Sequence, residues 1–210
     1  FNKKLSNLIF SCYSFFAISM TINMFITGGR AGQIGFFVMI CVLIFQVLER
    51  KRIKSLILIL IIIPGIFISA YQSSYLFQQR VDMAVNEITN YSPDYGGSVS
   101  IRINFAINSW EIFLNNPIIG VGTGDFPVEY NTINRINSPQ LAGTTNPHNM
   151  YTLILVQLGL VGFVSLLSIF YYQLKISFNS PNKFIRDVGV TLPIMFLVMM
   201  LSDSYLLVHY

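Results

Sequence analysis

Five stretches of the chain are apolar over lengths that a soluble core seldom requires: 5–27, 32–48, 55–71, 149–173 and 188–208. A helix needs about 20 residues to cross the ~30 Å hydrocarbon layer of a bilayer. Three of the stretches are near or above that length, and the second and third lie at its short end, so each is predicted to span as a helix. Pro64-Gly65 inside the third is predicted to kink that helix without ending it. Between the third and fourth stretches the pattern changes, and 72–148 is too long for a mere connection. There Leu76, Phe77, Val81, Ala84, Val85 and Ile88 recur at helical spacing across 74–88, a stripe suited to the membrane surface or to the flank of the spans. Breaks at Ser92-Pro93 and Gly96-Gly97 precede a second helix, predicted to start after Ser98 as its cap and to run to about Asn115. Val99, Ile103, Ala106, Trp110 and Phe113 make up its packing stripe, with Arg102 beside the stripe and facing a cleft.

The expected fold class is therefore all-α integral membrane, with about five transmembrane helices and a largely helical loop between the third and fourth. Three regions follow: 1–71 with three spans and a turn at 27–33, the loop 72–148 with two helices, and 149–210 with two spans. Composition agrees, since 53% of residues are hydrophobic and only 10% charged, whereas soluble domains carry roughly a quarter charged residues. The chain opens on Phe1 close to an apolar segment, and 5–27 is too long for a cleavable signal, so a fragment lacking earlier spans is expected.

A net charge of +4 raises the question of nucleic acid, but the cations lie in short clusters between apolar runs, which is a membrane protein's distribution. Lys3 and Lys4, then Arg50, Lys51, Arg52 and Lys54, then Lys175, Lys183 and Arg186 all fall on one side when the spans alternate. The positive-inside rule makes that side cytoplasmic. Of 13 basic residues this leaves Arg30, Arg80, Arg102 and Arg135 outside, all arginines. A planar guanidinium binds two oxygens at once and suits phosphate or carboxylate, although four arginines can also fall together by chance.

Arg30 lies in the turn TGGRAGQ between two helix ends. A helix amino terminus there adds a second element that attracts anions, while the alternative is an arginine snorkelling to the headgroups. IIGVGTGDF carries glycines at 120, 122 and 124 but lacks the spacing and the preceding strand of a dinucleotide site, so it reads as a tight loop, with phosphate cradling second. His148 precedes the fourth span in TTNPHNMY. Taken alone it reads as a hydrogen-bonded interfacial histidine, and next as a neutral base. Glu111, Asp125 and Glu129 are alternative bases, and Arg80 and Arg135 read as surface charges or as charges supporting the site from one layer behind it. Asp203 is the one carboxylate predicted inside a span, near its outer end, where it pairs with an arginine. Cys12 and Cys41 are not expected to form a structural disulfide, and two cysteines supply no zinc cluster. His209 has no assigned role.

Taken together, the GGRAG turn, the block IRINFAINSWEIFLNNPIIGVGTGDF and the segment NPHNMYTLILVQLGLVGF resemble the O-antigen ligase and polymerase superfamily over about residues 20–170. The resemblance implies a metal-independent, cofactor-free glycosyltransferase of the bacterial inner membrane with its active face extracytoplasmic. Its donor would be an undecaprenyl-diphosphate-linked glycan and its acceptor a glycan, lipid A core or protein, in contact with membrane lipids and not with nucleic acid. It also implies roles for Arg30 and Arg102 at the diphosphate and for His148 at the acceptor hydroxyl. Polymerisation of repeat units and protein O-glycosylation share that donor chemistry. A transporter of a lipid-linked anionic solute and a non-catalytic assembly protein are the readings from other classes.

Overall fold

The computed structural model describes residues 3–26, 29–48, 51–94 and 96–205. The regular structure among those residues is all helical, in eight helices: α1 Lys3–Ile26, α2 Arg30–Leu48, α3 Arg52–Ser73, α4 Tyr75–Thr89, α5 Ser98–Asn115, α6 Phe126–Asn137, α7 Met150–Phe178 and α8 Lys183–Met199. Three are long and apolar enough to cross a membrane: α2 over Ala31–Leu48, α3 and α7. α1 adds the apolar stretch Ser14–Ile26. The protein is thus an integral membrane protein. α3 continues through Pro64, as expected. The chain divides into two compact units, Phe1–Met83 and Ala84–Tyr210.

In the first unit Phe25, Ala70 and Phe77 are buried together, with Phe36 and Phe37 packed against them. The rings of Phe36 and Phe77 meet that of Phe25 edge-on, the geometry that aromatic quadrupoles favour. The last carbonyls of α1 have no partner within their own helix. Gln33 Nε2 donates to Met24 O at 3.3 Å and Ser74 Oγ to Phe25 O at 3.0 Å. These bonds close the end of α1 next to the start of α2, and α2 begins at Arg30 itself.

The second unit is built on a polar helix face. α5 buries Ser100, Asn104, Asn108 and Ile112, spaced one turn apart, together with Phe105, Ser109 and Phe113. Of the expected packing stripe, Ala106 and Trp110 are instead exposed. The reason is that the asparagines find partners. Asn108 donates to Tyr130 Oη and Asn134 Oδ1 and accepts from Asn137 Nδ2, while Asn104 donates to Pro93 O and accepts from Tyr91 Oη. A buried amide left without partners costs about 1–3 kcal/mol, so satisfied asparagines can be buried where unsatisfied ones cannot.

Most of those partners sit on α6, a third loop helix where two were expected. Asp125 occupies its cap position, Pro127 its first turn, and Phe126 and Tyr130 are completely buried. Each large aromatic ring so buried contributes about 1.5–3 kcal/mol. Ser98 is not the cap of α5 either. The cap position is Gly97, and the first amides are taken by Glu87 of α4, whose carboxylate accepts from Val99 N at 2.6 Å and Ser100 N at 3.2 Å. A carboxylate at that end also complements the helix dipole.

α7 does not run unbroken. Gly159 adopts φ 61°, ψ −158°, which divides the helix into 150–158 and 160–178. The glycine-rich loop repairs the break: Val121 N and Gly122 N donate to Val156 O and Gln157 O, and Leu160 N and Val161 N donate to Pro117 O and Ile118 O. The loop is tight, as expected, and these two of its amides are spent on the helix, which argues against the phosphate cradle. Two glycines make the approach possible, since a Cβ on Gly120 would lie 2.4 Å from the Gln157 carbonyl carbon and one on Gly159 2.3 Å from Ile118 O.

The last helix also differs from expectation. α8 ends at Met199, and Asp203 lies in the turn that follows, not inside the helix. Ser202-Asp203-Ser204 turn because short polar side chains there bond locally: Ser202 Oγ to Met199 O, and Ser204 N to the Asp203 carboxylate.

Gly159→Ala is expected to destabilise the protein by about 1–3 kcal/mol, through its left-handed backbone and the clash with Ile118. Gly65→Ala, with nothing within 4 Å of the added carbon, is expected to be neutral or slightly stabilising. Thermal unfolding of the two variants in detergent checks the contrast.

Candidate active site

The segment just before α7 is fixed more tightly than a loop usually is. Asn149 caps α7 by accepting from Thr152 N at 3.1 Å. Met150 N donates to Met200 O, Asn149 Nδ2 to Leu201 O and Tyr151 Oη to Leu197 O, at 2.9, 3.3 and 2.6 Å. The start of α7 is thereby bonded to the end of α8 and its following turn. His148 has φ 51°, the one described non-glycine residue with positive φ, a conformation costing about 1–3 kcal/mol that survives only where surroundings enforce it.

Asn146 is the enforcing residue. It is buried, its Oδ1 accepts His148 N at 2.8 Å, and its Nδ2 donates to Asp203 Oδ1 at 3.2 Å. The same carboxylate oxygen lies 3.2 Å from His148 Nδ1 and accepts Ser204 N at 2.8 Å. The expected arginine partner of Asp203 is thus replaced by this histidine. Phe105 of α5 stacks on the imidazole, centroids 6.0 Å apart and planes 24° from parallel.

The electrostatics follow from donors and acceptors. Partial burial pushes the Asp203 carboxyl up, but the Ser204 amide, His148 and Asn146 outweigh it and hold the group below its ordinary value. An ionised carboxylate only accepts, so Nδ1 of a neutral imidazole carries the hydrogen and Nε2 keeps its lone pair. That is the state a general base needs.

Arg102 lies one turn before Phe105 on α5, and residues so spaced share a helix face with Cβ atoms about 5–6 Å apart. It is exposed, and Nη1 donates to the neutral Ser98 Oγ at 3.2 Å. Among the described residues no carboxylate pairs with it.

The alternative bases are placed elsewhere. Glu111 accepts from Asn137 at 2.9 Å, and six residues beyond Phe105 it stands about 9 Å further along the helix axis. Asp125 and Glu129 occupy the cap and first turn of α6 and Arg135 its last turn, where their charges match the helix dipole. Arg30 is the first residue of α2 in the other unit, and its side chain lies outside the described residues, as do Thr27, Gly28 and His209. Cys12 and Cys41 are free.

The sequence profile of the O-antigen ligase family matches residues 15–167, most of the chain. The chain belongs to the O-antigen ligase family. An uncharacterized protein of Haemophilus influenzae is 29% identical over 211 residues, covering 92% of this chain. The chain spans 52% of that relative, about half its length. The family match includes Arg30, Arg102 and His148 and stops before α8 and Asp203, so the partner of this ligase-family histidine comes from beyond the matched stretch. Asn146, Phe105 and the pairing of Asp203 with His148 were not predicted. The pair is separated by 55 residues, which leaves no spacing to read, whereas the asparagine two residues before His148 was in view.

Asp203→Asn is expected to release the histidine from one tautomer, since an amide can either donate to or accept from Nδ1. Nitrogen NMR of His148 should report Nδ1–H in the wild type and a mixture in the variant. Because the folded carboxyl sits below its unfolded value, its contribution to stability is complete above roughly pH 4 and fades as pH falls through the folded-state value. The stability gap between wild type and variant should close over that same acidic range, and it should be small, because the pair is partly exposed.

Proposed function

We propose that this chain is part of a membrane glycosyltransferase that moves a glycan from an undecaprenyl-diphosphate carrier to an acceptor hydroxyl at the outer face of the bacterial inner membrane. In this reading α1 and α8 join α2, α3 and α7 as five spans, with the lysine clusters cytoplasmic and 72–148 outside. The observation that carries the chemistry is His148, held by Asp203 and Asn146 with Nε2 unbound by either, beside a helix that bears Arg102 one turn away.

The step is a single displacement. Nε2 takes the proton of the acceptor hydroxyl as its oxygen bonds to the anomeric carbon, and the bond from that carbon to the diphosphate breaks with its electrons passing to the leaving oxygen. Inversion at carbon follows. Negative charge grows on the diphosphate as the bond lengthens, so guanidinium groups at that oxygen stabilise the transition state more than the ground state. Arg102 fits this role by its exposure, and among the described residues no carboxylate pairs with it; the family resemblance gives Arg30 a diphosphate-binding role as well. The first residue of a helix is a poor place for a cation unless an anion shares it.

Ligation to lipid A core, repeat-unit polymerisation and transfer to protein would use the same residues with different acceptors. A transporter of the same lipid-linked solute is disfavoured, since such proteins place ionisable groups on broken helices near the bilayer midplane. Here the histidine and aspartate lie before α7 and after α8.

The test is transfer in vitro by the full-length protein from an undecaprenyl-diphosphate glycan to each acceptor class. His148→Ala is expected to lower turnover about 10²–10⁴-fold, and Arg102→Ala about 10²–10³-fold. Arg102→Lys should recover only part of the loss, because it keeps the charge without the two-point geometry. Normal transfer by all of these variants with Arg30→Ala would overturn the reading, and donor crossing the membrane without transfer would favour the transporter.

A further inference from the structure

α5 carries an apolar face that nothing in its own unit covers. Trp110 and Leu114, one turn apart, are 54% and 58% exposed, on the side away from the buried asparagines. Past the exposed Asn115, Asn116 and Pro117 the chain reaches Ile118 and Ile119, 65% and 74% exposed. From 112 to 124 there is no charged side chain. Four large apolar groups thus form an exposed surface flanked by Glu111 and Asp125.

Hydrogen bonds fix where this surface lies along α7. Pro117 O and Ile118 O accept from Leu160 N and Val161 N, the opening residues of the 160–178 segment. That segment, about 19 residues, is roughly 28 Å long at 1.5 Å per residue, close to the ~30 Å hydrocarbon thickness. Leu160, Val161 and Val164 are themselves exposed, as lipid-facing residues are. Whatever depth Leu160 and Val161 occupy, Ile118 and Ile119 must share it, because the backbone bonds allow no separation.

We infer that Trp110, Leu114, Ile118 and Ile119 are seated among the acyl chains of the leaflet that the 160–178 segment enters. The occupant is lipid because the face is continuous with the apolar flank of a spanning segment and carries no charge. Tryptophan at its edge fits the water–hydrocarbon boundary, where indole rings concentrate. This seating is independent of the transferase chemistry, since it rests on the backbone pairing and on exposure alone.

The experiment uses the full-length protein in lipid nanodiscs with its other cysteines replaced by serine and a nitroxide at Ile119→Cys. Reference labels are placed at Val161→Cys and at Glu129→Cys, an exposed charged position on α6. Collision with oxygen and with a water-soluble nickel complex is read by electron paramagnetic resonance. The expected oxygen-to-nickel ratio at 119 matches that at 161 and exceeds that at 129 severalfold. Access of nickel to 119 would overturn the seating, and so would shielding from both reagents, which would mean that protein covers the face. Ile118→Cys repeats the reading at the adjacent residue, so a local disturbance at 119 cannot decide the outcome.

Discussion

The second unit depends on an exchange of backbone hydrogen bonds across the break in α7. A helix interrupted at Gly159 leaves carbonyls before the break and amides after it without partners, and in an apolar setting each such group costs several kcal/mol. The segment 117–122 supplies both kinds at once, two amides to Val156 and Gln157 and two carbonyls to Leu160 and Val161. Glycine at 120 and 159 is what lets two backbones approach so closely. The broken helix and the loop are therefore one structure, and neither is stable in this form without the other.

That coupling carries through to the site. The 150–158 segment buries Met150, Leu153 and Val156 in the same core as Phe105, Phe126 and Tyr130, so the helix bearing Arg102 and the start of α7 share one packed body. His148 at the head of this segment is in turn bonded through Asn146 and Asp203 to the turn after α8. Three elements distant in sequence converge on one imidazole. The positive φ of His148 is a local cost that this convergence offsets, and in that conformation the ring meets both Phe105 and Asp203.

Legibility in the sequence followed the range of the interactions. Helices that bury or span by period and length were readable: α2, α3, α4 and α5 begin and end within a few residues of expectation, because those signals lie within a window of one or two turns. The break at Gly159 was not, because glycine is common inside membrane helices and only the pairing with 117–122 reveals it. The expected stripe of α5 holds at Phe113, which is buried, and fails at Ala106 and Trp110, which are exposed, for a related reason. An apolar stripe is the default core, yet Asn104 and Asn108 are buried with partners up to 29 residues away, and no local pattern announces that. Arg102 and His148 are candidates by residue type and family likeness, while Asp203 stands in the sequence only as a carboxylate in an apolar run, with nothing local to name His148 as its partner.

The placement of Asp203 shows why the distinction matters for mechanism. A carboxylate inside a span must find a cation or become neutral, which is how an arginine partner came to be expected. α8 ends at Met199, and in the turn that follows the carboxylate gathers an amide, an asparagine and an imidazole. Three donors hold it ionised without a permanent positive charge. Had a guanidinium filled the position, the carboxylate would have been satisfied by the arginine and the histidine left to either tautomer. With the histidine there, the same charge fixes Nδ1 as the donor and leaves Nε2 as the basic nitrogen, so the early end of one helix decides which atom of a residue 55 positions earlier can take a proton.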